Sequence, residues 1–302
     1  MTNPTVSVVI PTIGRASLRT AVESALAQSV PVLEVIVVAD TAGPLDLPDD
    51  RRIRVLRTGP ASGSSTARQR GVELSTGEVI ALLDDDDLWH PFKLERQLAE
   101  VADIEGDHWV VTCKCAVREA GKRERIWPKY TIGEHQSVAE YLFRLGNLTM
   151  GGGMLQSSTL CFPRTLALEL PLNFAPDSIH DEPGWLIALQ NRLPDLTFRH
   201  VPDCFSIYNI SDNSVSRRST DVSEKYIEWG RENLREASTR VRGDYFLSSA
   251  VTAAASARSL ASIRRAVTAG FAEGQPGLGA MAYAAAKFGT TAVRRAGRGG
   301  GA

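Results

Sequence analysis

The sequence predicts an α/β fold, a doubly wound, mostly parallel sheet with helices on both faces, followed by a helical C-terminal extension. Three observations carry this expectation. Near-continuous β-branched runs at residues 6–12, 34–40 and 79–83 have the character of strands buried on both faces. Segments with helical spacing alternate with them from the first residues onward. The runs end in Thr12, Asp40 and four consecutive carboxylates, Asp84, Asp85, Asp86 and Asp87, and open parallel sheets bind ligands outside the carboxyl ends of their strands.

Each element follows from its residues. The first strand is closed by Pro11-Thr12, and Ser17 is placed to cap a helix whose Leu18, Ala21, Val22, Ala25 and Leu26 share one face. "EVIVVAD" is the second strand and residues 53–57 a shorter third. Residues 65–74 suit a helix that stops before Gly77, ahead of the strand that carries the acids. After Pro91 come a helix over 93–102 and a strand over 109–117, then a less regular stretch with Trp127, Tyr130 and the triple glycine Gly151-Gly152-Gly153. A helix resumes near Asp181. Pro183 suits its first turn, Asp181 or Glu182 lies near its N-cap, and Trp185, Leu186 and Leu189 form its apolar face. Beyond about residue 220 the chain is Ala-rich and helical, ending in "RRAGRGGGA", which reads as a disordered tail.

Composition bounds the function. The 302 residues are 43% hydrophobic and 23% charged, enough for a full core in the ordinary soluble class, and a net charge of −1 gives no case for nucleic acid as a partner. Four scattered cysteines make neither a disulfide scaffold nor a zinc site and read as core thiols in a reducing compartment. The apolar start lacks a basic leader, and no stretch reaches the roughly 18 apolar residues of a membrane span. A cytoplasmic location is expected. No phosphate-binding G-x-x-x-x-G-K-[ST] loop and no G-x-S-x-G elbow occurs, and the nearest dinucleotide fingerprint, at Gly277 and Gly279, lies in the tail.

The acid run is the sharpest feature. Like charges about 4 Å apart repel by about 1 kcal/mol in water and about 4 kcal/mol at an effective dielectric of 20. Side chains two apart on extended chain share a face, so Asp84 and Asp86 would face one way and Asp85 and Asp87 the other. A face with two carboxylates suits a hard divalent cation, Mg²⁺ or Mn²⁺, completed by phosphate oxygens and water. The alternative is a solvated acidic turn.

With these residues in order, "VSVVIPTIGR", "EVIVVAD" and "GSSTARQRGVELSTGEVIALLDDDDLWHPFKLERQ" together resemble the family 2 nucleotide-sugar glycosyltransferases, which have the inverting GT-A fold. The likeness covers about residues 5 to 215. It implies a catalytic domain over 1–220, binding the nucleotide sugar through about 1–117 and carrying the acceptor and base region over 118–220, with an extension over 221–302. It implies a nucleotide-diphosphate sugar donor, a UDP-sugar in the first instance, and a saccharide or lipid-linked acceptor. Pro11, Thr12, Arg15 and Asp40 would hold the nucleotide, Asp40 accepting from the base. Arg68, in Ala67-Arg68-Gln69-Arg70-Gly71, would lie near it, with Gln69 where the family has Asn. Asp84 and Asp85 would face the donor, and Asp86, with Asp84, would hold the cation. Asp181, four residues before Trp185, takes the position of the catalytic base, with His180 in place of the family's Glu and Glu182 as the fallback base. Gly152, Gly153, Met154, Gln156 and Trp185 would shape the acceptor region. The family's closing Tyr-Arg-x-His and serine pair leaves Tyr208, Ser214 and Ser216 here, without the Arg and His.

Alternatives stand beside each of these readings. Asp181 would serve equally as a structural N-cap, and the triple glycine as a simple turn. Residues 254–302 carry seven basic side chains against Glu273 alone, which suits either peripheral contact with an anionic membrane or a helical cap with a basic tail. A catalytically inactive nucleotide-sugar-binding relative and a sugar nucleotidyltransferase remain as competing functions.

Overall fold

The computed structural model describes residues 4–146, 152–172, 179–210 and 221–299, the last with side chains to Arg294. Contacts divide the chain into two units, residues 1–136 with 154–211, and residues 137–153 with 212–302.

The first unit is a nine-stranded sheet flanked by helices. Its elements are β1 (Val6–Thr12), α1 (Leu18–Leu26), β2 (Glu34–Ala39), β3 (Ile53–Arg57), α2 (Ser64–Leu74), β4 (Val79–Leu82), β5 (Leu88–Trp89), α3 (Lys93–Glu100), β6 (Trp109–Glu119) and β7 (Arg125–Trp127). After the second unit's α4 (Val138–Phe143) it continues with β8 (Cys161–Pro163), α5 (Arg164–Glu169), α6 (Asp181–Arg192) and β9 (Thr197–Ile210). The strand order is β3-β2-β1-β4-β8-β6-β9-β5, with β7 beside β6. β3, β2, β1 and β4 are mutually parallel, as the buried β-branched runs predict, and β6 pairs β9 in parallel. β5, β7 and β8 join antiparallel. This is the α/β, GT-A-type sheet the sequence led us to expect.

That order brings the ends of β1, β2 and β4 to one edge. Helix α2 lies so close to the sheet that a Cβ on Gly71 would sit 2.3 Å from Val9 Cγ1. Only glycine allows that approach, and Arg68, one turn earlier on α2, reaches Asp84 just past the end of β4. Helix α1 begins at Leu18 without a side-chain cap from Ser17, because Ser17 is already in a helical conformation.

The second unit is helical: α4, α7 (Ser223–Asn233), α8 (Thr239–Tyr245), a π-helical turn (Phe246–Ala250), α9 (Val251–Ser256), α10 (Leu260–Glu273) and α11 (Leu278–Gly299). Its core is aromatic, with Phe143 4.9 Å and Trp229 5.3 Å from Tyr245 between ring centroids. Buried Asp244 ties three segments together, accepting from Leu145 N at 3.0 Å, Gly277 N at 2.8 Å and Arg240 Nε at 2.8 Å. These contacts hold Phe143 and Leu145 within this unit. Helix α11 runs to Gly299, through most of the expected tail; residues 300–302 lie outside the described residues, as do Gly151, Ser214 and Ser216. Among the described residues no helix is long and apolar enough to cross a membrane.

Candidate functional site

Strand β4 stops at Leu82, and the four acids that follow form a tight turn in which Asp87 N donates to Asp84 O at 3.1 Å. The alternation expected of extended chain survives in the turn. Asp85 and Asp87 are buried, while the Asp84 and Asp86 side chains keep 23% and 25% of their surface exposed.

Each buried acid has its own partners. Asp85 accepts from Thr12 Oγ1 at 2.5 Å and from Arg15 Nη1, which joins the end of β1 to the turn. Burial opposes the Arg15 charge, but Asp85 and Asp86 hold its pKa above the ordinary value. Asp87 accepts from Ser158 Oγ at 2.6 Å, Gln156 Nε2 at 2.7 Å and Asn209 N at 2.9 Å. Burial, then the neighbouring Asp84, still push the Asp87 carboxyl well above the usual range. The same effects push the Tyr208 hydroxyl up to about 12, with burial first and Asp87 and Asp84 next.

Arg68 links the turn to α6. Its Nη2 donates to Asp84 Oδ1 at 2.6 Å and its Nη1 lies 3.1 Å from Glu182 Oε1. Burial works against this cation, yet Asp84 and Glu182 raise its pKa, so it stays charged. Glu182 also accepts from Ser157 Oγ, and Asp181 accepts from Ser65 Oγ at the start of α2. His180 sits in the left-handed region at φ 54° as the helix N-cap residue, so Asp181 and Glu182 fall in the first turn, where the helix dipole favours negative charge. Burial pulls the His180 imidazole down to about 4 and keeps it neutral.

The expected donor contacts fall on this edge, at the ends of β1 and β2. Pro11 and Thr12 are buried, and Arg15 is part-exposed beside Asp85. Asp40 accepts from Ser62 Oγ at 2.5 Å, Ser62 N at 2.9 Å and Gly63 N at 3.0 Å. Burial would raise its pKa, but those donors hold the carboxyl below the usual range. Asp40 thus secures the loop into α2.

The acceptor-region residues divide between the two units. Met154 and Gln156 belong to the first unit, Gln156 directly on the acid turn. Gly152 and Gly153 belong to the second, where a Cβ on Gly153 would meet Tyr141 O at 2.4 Å; this glycine is dictated by packing. Trp185 falls on the apolar face of α6, as its spacing with Leu186 and Leu189 predicts. It is 1% exposed, its Nε1 donates to Leu170 O at 2.7 Å, and its ring packs 4.7 Å from Phe162. It lies on the inward face of α6 and seats that helix on β8.

Sequence reasoning passed over Ser65, Ser157, Ser158 and Asn209. Asn209 stands where the family's Tyr-Arg-x-His motif has its arginine, and its Nδ2 donates to Asp86 O at 2.6 Å. The three serines carry no pattern of their own; only their position against the acids gives them a role. Behind them, Gln97 Nε2 donates to Thr159 O at 2.7 Å, and Trp89 Nε1 to Ser158 O at 2.7 Å, which fixes the 3₁₀ turn Ser157–Thr159.

Among the described residues no group of three or more His, Cys, Asp and Glu is placed to hold a metal ion. A two-carboxylate set nonetheless suits an ion that arrives with phosphate oxygens and water. Asp84 is held by Arg68, whereas the ion pair of Asp86 is with Arg15 at 3.9 Å. Burial, then Asp84, raise the Asp86 pKa, a surplus of negative charge that a cation would relieve. The donor set fits a divalent ion.

The chain is similar to known proteins in sequence and in fold. The family model described as Glycosyl transferase family 2 matches residues 7–156, about half of the chain. The amylovoran biosynthesis glycosyltransferase AmsB of Erwinia amylovora is 34% identical over 107 residues, 34% of this chain and 34% of that protein. The putative teichuronic acid biosynthesis glycosyltransferase TuaG of Bacillus subtilis is 40% identical over 108 residues, 32% of this chain and 43% of that protein. The likeness therefore spans between a third and just over two-fifths of these relatives' own length. Among solved structures, S. aureus TarS 1-349 in complex with UDP-GlcNAc matches with a TM-score of 0.58 over 98% of this chain and 92% of that chain, at 15% identity, a likeness of fold.

Proposed function

We propose that this chain, which belongs to glycosyl transferase family 2, moves a sugar from a nucleotide-diphosphate donor to an acceptor hydroxyl, with inversion at the anomeric carbon. The observation that carries the reading is the double grip of Arg68, on Asp84 at the acid turn and on Glu182 next to Asp181. It ties the donor-side carboxylates and the candidate base to one rigid frame. A UDP-sugar is the favoured donor, since TarS, whose fold this chain shares, is seen with UDP-GlcNAc and with UDP. The relatives' names suggest assembly of a surface polysaccharide or related glycoconjugate.

In this reading Arg15 and Arg68 face the diphosphate and orient the sugar. Asp181 takes the proton of the acceptor hydroxyl as that oxygen attacks the anomeric carbon, and the bond to the diphosphate breaks on the opposite face. Glu182 is engaged by the Arg68 cation and by Ser157, and Asp181 by the neutral Ser65 hydroxyl, so Asp181 is assigned the base role. A divalent cation held by Asp86 with Asp84, Mg²⁺ or Mn²⁺, would supply Lewis-acid stabilisation of the leaving diphosphate.

The test is nucleotide release from UDP-sugars with a panel of saccharide and glycolipid acceptors. Asp181→Asn is expected to bind donor as the wild type does but to release nucleotide at least about 100-fold more slowly. Loss of release in Glu182→Gln with Asp181→Asn still active would overturn the base assignment. Donor binding without release by the wild type under all acceptors would favour a non-catalytic binding protein.

A further inference from the structure

The second unit contains a groove of about 350 Å³ between α9 and α11, lined by Ser256, Tyr283, Lys287, Thr290, Thr291 and Arg294. Its hydroxyls are turned to their own helices: Ser256 donates to Thr252 O at 2.9 Å and Thr290 to Ala286 O at 3.0 Å, while Tyr283 meets Thr252 Oγ1 at 2.8 Å. The charge in the groove comes from Lys287 and Arg294. Other basic side chains of this unit have acids beside them, Arg231 with Glu273 at 2.8 Å, Arg240 with Asp244 at 2.8 Å and Arg265 with Glu224 at 3.6 Å. Lys287 and Arg294 have none among the described residues, and residues 278–299 contain no acid at all. The contact recorded for Lys287 is the face of Tyr283, 5.3 Å away. Seven residues apart, the two cations lie on one face of α11, roughly 10 Å along its axis.

The adjoining face of the same helix is apolar and open. Leu278 is 83% and Val293 73% exposed, and Ala282, Ala285 and Gly289 between them are exposed as well. Ala286 borders both faces, so the stripe runs along the edge of the groove.

We infer that this groove binds the phosphate headgroups of anionic lipids, with the open stripe of α11 resting in the interface of a membrane. Unpaired cations beside a continuous apolar face, on a helix of low overall hydrophobicity, are the composition of an interfacial helix. A second copy of the chain is disfavoured as the occupant, because facing α11 helices would oppose cation to cation with no acid to pair them. The assignment does not depend on the transfer reaction, and its readout needs no nucleotide sugar.

The experiment is co-sedimentation of the full chain with phosphatidylcholine vesicles, with and without phosphatidylglycerol. Binding is expected only with phosphatidylglycerol and is expected to weaken as salt rises. Each basic residue near an anionic surface is worth about a fivefold change in partitioning, so the double variant Lys287→Gln/Arg294→Gln is expected to lose roughly 25-fold. Leu278→Gln/Val293→Gln is expected to weaken vesicle binding too, and both variants to keep the wild-type thermal midpoint. Equal sedimentation with neutral and anionic vesicles, or a Lys287/Arg294 variant within about twofold of wild type, would overturn the inference. Displacement from vesicles by soluble inorganic diphosphate at matched ionic strength would also overturn it, since that would make the groove a site for soluble phosphates.

Discussion

Arg68 reaches Asp84 at 2.6 Å from a buried position on α2, so the guanidinium that neutralises the acid turn is largely shielded from water. Its second arm, 3.1 Å from Glu182, makes a buried network of one cation and two acids. Removing one partner of such a network leaves uncompensated buried charge. Arg68→Gln is therefore expected to destabilise the fold by about 3–5 kcal/mol, measured by urea denaturation. Arg68→Lys keeps the charge but not the fork, and should fall between. A loss under about 1 kcal/mol for Arg68→Gln would mean that the network does not hold the site together.

Asp86 should behave in the opposite way. Burial and Asp84 raise its pKa, so the folded state favours its neutral form, and this contribution is present at low pH and lost as pH rises through the folded value. In metal-free buffer at neutral pH, Asp86→Asn is expected to raise the thermal midpoint. Asp85→Asn, which weakens the bonds from Thr12 and Arg15, is expected to lower it. A destabilised Asp86→Asn would contradict the charge surplus.

His180 gives a pH signature. Its pKa falls from 6.5 to about 4 on folding because it is buried, so the unfolded chain takes up a proton that the folded one refuses. The contribution is present above pH 6.5 and is lost as pH falls toward 4, where the loss reaches about 3 kcal/mol. His200, held down to about 4 by burial and then by Lys114, acts in the same window. His180→Asn is expected to flatten the stability-against-pH curve between pH 6.5 and 4; an unchanged slope would contradict the burial of a neutral imidazole.

Gly71→Ala tests the approach of α2 to the sheet. A methyl 2.3 Å from Val9 Cγ1 must push the helix out. A loss of about 1–3 kcal/mol is expected, with weaker donor binding as Arg68 and Ser65 shift. Wild-type stability would show that the helix can yield there at little cost.

The sheet was legible because its strands are β-branched runs buried on both faces, and periodicity reports burial directly. The acid turn was legible because four adjacent carboxylates after a buried strand demand compensation. What compensates them was not. Ser158 and Asn209 reach Asp87 across the sheet, a contact between distant residues that no local pattern encodes. Lys93, which the sequence places only at the start of a helix, is fully buried, with Nζ 2.7 Å from Gln97 Oε1 and 4.1 Å from the Trp89 ring. The burial of Trp185 was legible in its helical spacing with Leu186 and Leu189, but its partners Leu170 and Phe162 were not. The allegiance of residues 137–153 to the helical unit depends on Asp244, about a hundred residues downstream.

The central claim, that the acid turn receives a metal-borne nucleotide sugar, is tested most directly by a thermal-shift screen against UDP-, GDP- and dTDP-sugars. Each is measured with and without Mn²⁺, on the wild type and on Asp86→Asn. A ligand that binds only the folded state raises the midpoint by mass action. The account predicts a Mn²⁺-dependent shift with one nucleotide class, UDP-sugars first, that disappears in Asp86→Asn. No shift with any nucleotide sugar, or a shift indifferent to both Mn²⁺ and the substitution, would contradict it.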